Sequence, residues 1–239
     1  MITSTAATKN NKHEAPKLRL QTACPIYTQI VVDKKIKRIY KMVDFIEDAP
    51  WSTHGLKHIN NTVKIAKTLY KMFNPSEFSL DTILTSCYLH DTGAVFGKPN
   101  HATHSKIFVE KYLDDFNLDT DMKQTIVSTV AHHSSASENA PLIEKYMALA
   151  DKLDITRSRI LKAGKNVEGM RQVANILSFD FERTETLFIV NIKVSPRFDL
   201  TEWQNYYFTA KVNKAIEVFA HAYSLEPQII YSTKQKQLN

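Results

Sequence analysis

Residues 80–91, LDTILTSCYLHD, decide the fold of this chain, because ten mostly apolar or small residues lead directly into a histidine and an aspartate. Their composition predicts a central, buried helix, with Ser79 as its N-cap. A buried polar side chain costs free energy unless it has a partner, and a carboxylate at a helix C-terminus also opposes the helix dipole. A bound dication would remove both costs. His90 and Asp91 therefore predict a metal site, beside a loop that Gly93 and Gly97 make permissive.

Helical periodicity continues on both sides of this segment. Apolar residues recur at helical spacing over residues 34–47, 56–73, 103–116, 121–132 and 142–161. Beyond about residue 175, residues 176–182 and 185–194 are rich in Ile, Val, Phe and Thr and predict two strands joined by a turn at 183–184. Residues 199–223 return to helical spacing, and a short strand is expected at 228–231. The predicted fold is mainly α, a helical bundle with a small C-terminal α+β cap.

Domain boundaries follow from the same change of pattern and from the distribution of charge. We expect a flexible basic tail at residues 1–30, the bundle at 31–170 and the cap at 171–239. The net charge of the chain is +6, but residues 1–41 carry +7 and the last six residues +2, which leaves −3 on the body. A nucleic-acid-binding protein carries its basic surface on the folded part. We therefore expect no nucleic-acid polymer as a partner.

The composition also bears on the compartment and on membranes. With 2 cysteines in 239 residues, a disulfide-stapled scaffold is excluded and a reducing cytoplasm is expected. No apolar run approaches the roughly 18 residues that a membrane span requires. The first residues, MITSTAATKNNKHEAPK, contain no apolar stretch, so we expect no secretory signal. These features predict a cytoplasmic protein with no membrane partner.

Histidines are concentrated in the middle of the chain, and most stand near another histidine or an aspartate. Seven of the nine lie between positions 54 and 133: His54, His58, His90, His101, His104, His132 and His133. Asp151 follows in the run ALADKLD. Imidazole and carboxylate are the ligands of borderline divalent metals. Any one of these histidines could equally be a satisfied core residue, but the joint pattern favours a metal centre. His54 is expected to contact substrate, to support a ligand or to be exposed, and His104 to support a ligand or to lie at the surface.

The order of these residues is that of a known family. His58, the LHD at 89–91 and the ADKLD at 150–154 resemble the HD-domain superfamily of metal-dependent phosphohydrolases, over about residues 50–165. His101, with Ser105 four residues later, and the following histidine pair resemble its extended, dinuclear class. The resemblance implies a first metal held by His58, His90, Asp91 and Asp151. It implies that Asp91 bridges to a second metal held by His101 and by His132, His133 or both.

The chemistry implied by the resemblance is hydrolysis of a phosphoester or phosphoanhydride bond by metal-activated water. The substrate would be a small, nucleotide-like phosphorylated molecule, and the cofactor two divalent ions, drawn from Mn, Fe, Co, Ni and Zn, with Mg also admitted. Lys98, Lys152 and Arg157 are the cations expected to neutralise phosphate oxygens, so Asp91, Lys98 and Arg157 are the predicted catalytic residues. Cyclic-dinucleotide phosphodiesterases of the family carry lysine where this chain has Ala94, which counts against that specific activity.

Two other functions keep the same fold. One is a di-iron oxygenase of the HD type, and the other is a nucleotide-sensing module without catalysis. A homo-oligomer that uses the cap as a dimer surface is a further expectation.

Several nearby residues receive structural predictions. Asp154 is expected to form a surface ion pair with Arg157, and Cys87 to be a small buried hydrophobe rather than a nucleophile. An aromatic series in the last third of the chain is predicted to be cap core rather than a platform for base stacking: Trp203, Tyr206, Tyr207 and Phe219.

Overall fold

The computed structural model describes residues 23–46, 52–233 and 237–238. The predicted mainly α fold with a C-terminal α+β cap is confirmed. The bundle consists of α1 (Pro25–Ile30), α2 (Lys34–Phe45), α3 (Leu56–Phe73), α4 (Leu80–Leu89), α5 (His101–Tyr112), α6 (Thr120–His132) and α7 (Leu142–Lys152). Most of the basic tail predicted at residues 1–30 lies outside the described residues. Its last part does not fit that prediction, because α1 is helical and buries Ile26 and Ile30.

Helix α4 is the central element of the bundle. All of its residues from Asp81 to Leu89 are buried, and α1, α3, α6 and α7 pack around it. The predicted N-cap is confirmed, since the Ser79 side chain accepts a hydrogen bond from the Thr82 amide. Cys87 is fully buried, as expected of a small hydrophobe. The apolar run in the sequence therefore sets the position of His90 and Asp91 at the inner end of this helix.

Helix α7 ends nine residues earlier than its apolar periodicity predicts, at Lys152 rather than at residue 161. The buried Arg159 donates from Nη1 to the carbonyls of Asp151 and Asp154, at 3.1 and 3.3 Å. Carbonyls at a helix end have no intrahelical partner, and this guanidinium supplies one. The chain then continues irregularly, with short 3₁₀ turns at Ala163–Asn166 and Met170–Asn175.

The C-terminal region is a sheet covered by two helices. Strands β1 (Ile176–Arg183) and β2 (Leu187–Val194) pair antiparallel, and β3 (Glu226–Ser232) lies parallel to β2, with the short β4 (Gln237–Leu238) at the edge. A parallel pair requires a crossover connection, which α8 (Leu200–Asn205) and α9 (Tyr207–His221) provide. The predicted single helix over 199–223 is wrong, because the backbone is extended at Tyr206.

The cap packs directly on the bundle. The rings of Phe73 on α3, Phe188 on β2 and Phe219 on α9 lie 5.1 to 5.6 Å apart, at tilted or edge-on angles. Such aromatic contacts stabilise a core beyond their buried area. In the described part of the chain no helix combines the length and the hydropathy needed to cross a bilayer. The division into three domains stays a prediction.

Asp81, at the outer end of α4, connects α1 to the bundle. Its carboxylate accepts hydrogen bonds from the amides of Ile26 and Tyr27, at 3.0 and 2.8 Å. We expect Asp81→Ala to lower the free energy of unfolding by about 1–3 kcal/mol, because two amides lose their acceptor. Urea denaturation followed by circular dichroism measures this change. Glu110→Ala removes an exposed carboxylate on α5 and is the control; equal effects of the two substitutions would contradict the assignment.

Candidate metal centre

Asp91 lies at the centre of the candidate site, immediately beyond the end of α4. Its carboxylate is 1% exposed, and neither oxygen has a hydrogen-bond donor. Oδ2 lies 3.5 Å from Nε2 of His58 and 3.2 Å from Nε2 of His90. Oδ1 lies 3.3 Å from Nε2 of His101 and 3.5 Å from Nε2 of His133. Each oxygen of one carboxylate therefore faces its own pair of imidazoles.

The four imidazoles are held with Nε2 pointing inward. Nδ1 of His90, His101 and His133 lies 2.7–2.8 Å from the carbonyl of the residue three positions earlier in each case. Because a carbonyl only accepts, Nδ1 carries the hydrogen and Nε2 presents a lone pair. For His90 and His133 these carbonyls belong to the last turn of a helix, where acceptors are free. The ends of α4 and α6 thereby fix the orientation of two candidate ligands.

Two further carboxylates act on His58. Oδ1 of Asp151 lies 3.2 Å from its Nε2, and Oδ2 of Asp154 lies 2.8 Å from its Nδ1. Asn61 donates to the other oxygen of Asp154 at 2.9 Å. The predicted surface ion pair of Asp154 with Arg157 is wrong: Asp154 is 1% exposed and orients His58 instead. The D-x-x-D spacing in ADKLD was the available signal, since it brings the second carboxylate back to the same side of the chain.

The electrostatics of the centre favour a cation. Burial would raise the pKa of Asp91, but contacts with His90 and His133 hold that pKa well below its usual range. Burial also opposes ionisation of Asp151, and Lys152 and His58 nevertheless hold its pKa well below the usual value. Burial lowers the pKa of His133. Two ionised carboxylates thus lie among inward-facing imidazole lone pairs, and Nε2 of His101 and His133 are only 3.0 Å apart. A divalent cation satisfies these groups together.

The donor atoms form two groups that share Asp91. His58, His90 and Asp91 offer ligand atoms within 4.8 Å of one another, and so do Asp91, His101 and His133. Imidazole nitrogen and carboxylate oxygen suit Mn, Fe, Co, Ni and Zn. Asp151 reaches the first group through its contacts with His58 and, at 4.0 Å, with His90. The residues present fit a metal centre.

His132 lies outside this centre. Its side chain is 59% exposed and contacts Glu144 at 3.1 Å, whereas the neighbouring His133 points inward. His104 also stays away from the cluster and packs against Phe96. His54 lies close to it, with its ring 6.0 Å from His58 and 6.1 Å from His101. Burial lowers the pKa of His54 to about 3, so its imidazole is neutral at physiological pH.

A cavity of about 450 Å³ opens onto the centre, and Asp91, Asp151, His101 and His133 form part of its wall. Of the predicted phosphate-binding cations, Lys98 and Lys152 line this cavity. Arg157 does not; its side chain is exposed. The arginine in the wall is Arg159, which sequence reasoning missed although it stands two residues away in TRSRI. The irregular course of the chain after α7 thus determines which of the two arginines lines the cavity.

The sequence itself was compared with known proteins. Residues 55–156 match the family model of the HD domain. This segment is an HD domain. No curated protein matches the chain. The HD domain spans α3 to α7 and contains every residue of the two donor groups. HD domains bind divalent metals and are largely metal-dependent hydrolases, which agrees with the donor set described above.

Another part of the cavity wall comes from outside the HD domain. Met170, Val173 and the corner between α8 and α9 line it, together with Lys211. The prediction that the aromatic series is cap core holds for Trp203 and Phe219, which are fully buried. It is wrong for Tyr207, which is 56% exposed and faces the cavity.

The adjacent histidines at the end of α6 allow a matched test. His133→Ala is expected to bind about one metal equivalent fewer than the wild type, because Nε2 of His133 faces Asp91 Oδ1. His132→Ala is expected to retain the wild-type content. Elemental analysis of both variants after reconstitution measures the difference. Equal metal content in the two variants would show that the inward orientation of His133 has no bearing on metal binding.

Asp154 is expected to act through His58. Asp154→Asn keeps the shape of the side chain but removes the charge that orients the imidazole, so metal affinity should fall about 10-fold or more. Competition with a chromophoric chelator measures the affinity. Asp114→Asn, an exposed change on the bundle surface, is the control. An unchanged affinity in Asp154→Asn would remove the positioning role.

Proposed function

We propose that this chain is a metal-dependent phosphohydrolase that cleaves a phosphoester or phosphoanhydride bond of a small, nucleotide-like substrate with metal-activated water. The observation that carries the proposal is the position of Asp91. Each oxygen of this buried carboxylate faces a separate pair of inward-pointing imidazoles, in the wall of a cavity. Such a shared carboxylate suits two neighbouring cations.

The proposed ligands of the first cation are His58, His90, Asp91 and Asp151, and those of the second are Asp91, His101 and His133. Bound divalent ions supply Lewis acidity and lower the pKa of a coordinated water to about 7. The protein contributes the orientation of the ligands, through the carbonyl and carboxylate acceptors at each Nδ1. It also buries the first group of ligands, since His58, His90 and Asp91 are at most 1% exposed.

Cationic side chains in the cavity wall support a phosphorylated substrate. Lys98, Lys152 and Arg159 all line the cavity beside the donor groups. Ammonium and guanidinium groups neutralise phosphate oxygens through charge-assisted hydrogen bonds. Arg159 is held by the carbonyls of Asp151 and Asp154, so its position is set before substrate binds. We assign to Arg159 the role that the resemblance gave to Arg157.

The size of the cavity supports a small-molecule substrate. Its volume of about 450 Å³ lies within the range of about 300–1,000 Å³ that is typical of small-ligand sites. Small phosphorylated molecules are therefore the proposed partners.

The proposal is tested by phosphate release from p-nitrophenyl phosphate and from a panel of nucleotides, with protein loaded separately with Mn, Fe, Co, Ni or Zn. We expect turnover with at least one metal, and none in Asp91→Ala. We expect Arg159→Met to lower kcat/KM by about 100-fold, since it removes one donor from the site. Arg157→Met, two residues away and exposed, is the matched control and should retain wild-type kcat/KM.

Three other outcomes of these assays would contradict parts of the proposal. Absence of phosphate release with every metal and substrate, from protein that holds its metal, would overturn the proposal. Oxygen consumption by the iron-loaded protein in that case would indicate the oxygenase reaction. Equal losses in Arg157→Met and Arg159→Met would contradict the role of Arg159.

A further inference from the structure

Part of the wall of the cavity at the metal centre is formed by the chain after the HD domain. Tyr206, Tyr207 and Phe208 lie side by side in this wall, at the junction of α8 and α9. Met170 and Val173, from the preceding 3₁₀ turn, form an apolar floor beside them. The lining of the cavity thus combines charged, metal-binding side chains with aromatic and apolar ones.

Tyr207 is exposed in a way that core packing does not explain. Its side chain is 56% exposed, and its ring meets that of Tyr206 edge-on, with centroids 4.8 Å apart. The Lys211 ammonium lies 5.5 Å from the Tyr207 ring centroid and also lines the cavity. An aromatic side chain left open to solvent inside a cavity is a surface for a ligand with a flat, apolar face.

The aromatic corner is held rigidly from behind. Trp203 is fully buried, and its carbonyl accepts hydrogen bonds from the Tyr206 amide and the Thr209 hydroxyl. Gly169, at φ +73°, lies so close to Tyr206 that an added Cβ would be 2.4 Å from the ring. The Gly169 amide donates to Glu202 on α8 at 2.6 Å. These contacts orient the corner before any ligand arrives, which lowers the cost of binding.

From this arrangement we infer that the Tyr206–Tyr207 corner binds the planar, aromatic part of the substrate, as in a nucleobase, while the phosphate lies at the metal centre. The inference rests on the proposed function and names the substrate class of the same site. It makes Tyr207 a specificity-determining residue supplied by the C-terminal cap. An aromatic side chain can stack on any base, because every base has a flat π-face. Purines and pyrimidines are therefore both expected to bind.

The inference is tested by binding, so that turnover is not needed. Isothermal titration calorimetry on the metal-loaded, full-length protein measures the affinity for two phosphonates, whose C–P bond resists hydrolysis. One is the phosphonate of adenosine, and the other is the phosphonate of ribose, which lacks the base. We expect wild-type protein to bind the adenosine compound about 10-fold more tightly than the ribose compound or better. Tyr207→Ala should remove that preference by weakening only the adenosine compound. Tyr207→Phe, which keeps the ring, should retain it.

Phe45→Ala removes an aromatic side chain that is 86% exposed on α2 and is the control for loss of a surface ring. An adenosine preference that is absent in the wild type, or unchanged in Tyr207→Ala, would overturn the inference. The phosphate-release assay separates this failure from that of the proposed function. Phosphate release without an adenosine preference would support the hydrolase and contradict the base-binding role of Tyr207. An adenosine preference without phosphate release would support base binding and contradict the hydrolase.

Discussion

The structure depends on one constraint: the carboxylate of Asp91 is buried at the end of the most apolar helix, without a hydrogen-bond donor for either oxygen. Isolated burial of a carboxylate is costly. The bundle brings two pairs of imidazoles to the two oxygens with their lone pairs inward, which adds no donor for the carboxylate. That arrangement in turn needs a cation, because lone pairs and carboxylates repel one another. The centre therefore favours the binding of a cation from solution.

The supporting contacts explain why the bundle has its particular helix ends. His90 and His133 each donate from Nδ1 to a carbonyl in the last turn of their own helix, which uses acceptors that have no helical partner. Asp154 plays the same part for His58 from the chain beyond α7. Gly93 allows α5 to approach the loop after Asp91, since a Cβ there would lie 2.4 Å from the His101 carbonyl. Helix ends, rather than helix faces, thus set most of the geometry of the site.

The C-terminal cap belongs to the same site. Its sheet and α9 pack on α3 through Phe73, Phe188 and Phe219, and the junction of α8 and α9 lines the same cavity as the metal centre. The break at Tyr206 follows from its extended backbone, which a continuous helical pattern in the sequence conceals. The HD domain alone would hold the metal ligands, but half of the cavity wall would be missing.

The helical bundle, the central helix and the identity of nearly all the candidate ligands could be predicted from the sequence alone. These features depend on local periodicity and on residue type, which are visible without coordinates. Only the tertiary structure decided between His132 and His133, because neighbouring residues of a helix point about 100° apart and the rotation of α6 selects one. It also selected Arg159 over Arg157, buried Asp154 and exposed Tyr207 to the cavity. The positions of His133 and Asp154 depend on contacts with Asp91 and His58, far away in the chain. The position of Arg159 depends on the irregular course of the chain after α7, which the helical pattern of the sequence does not reveal.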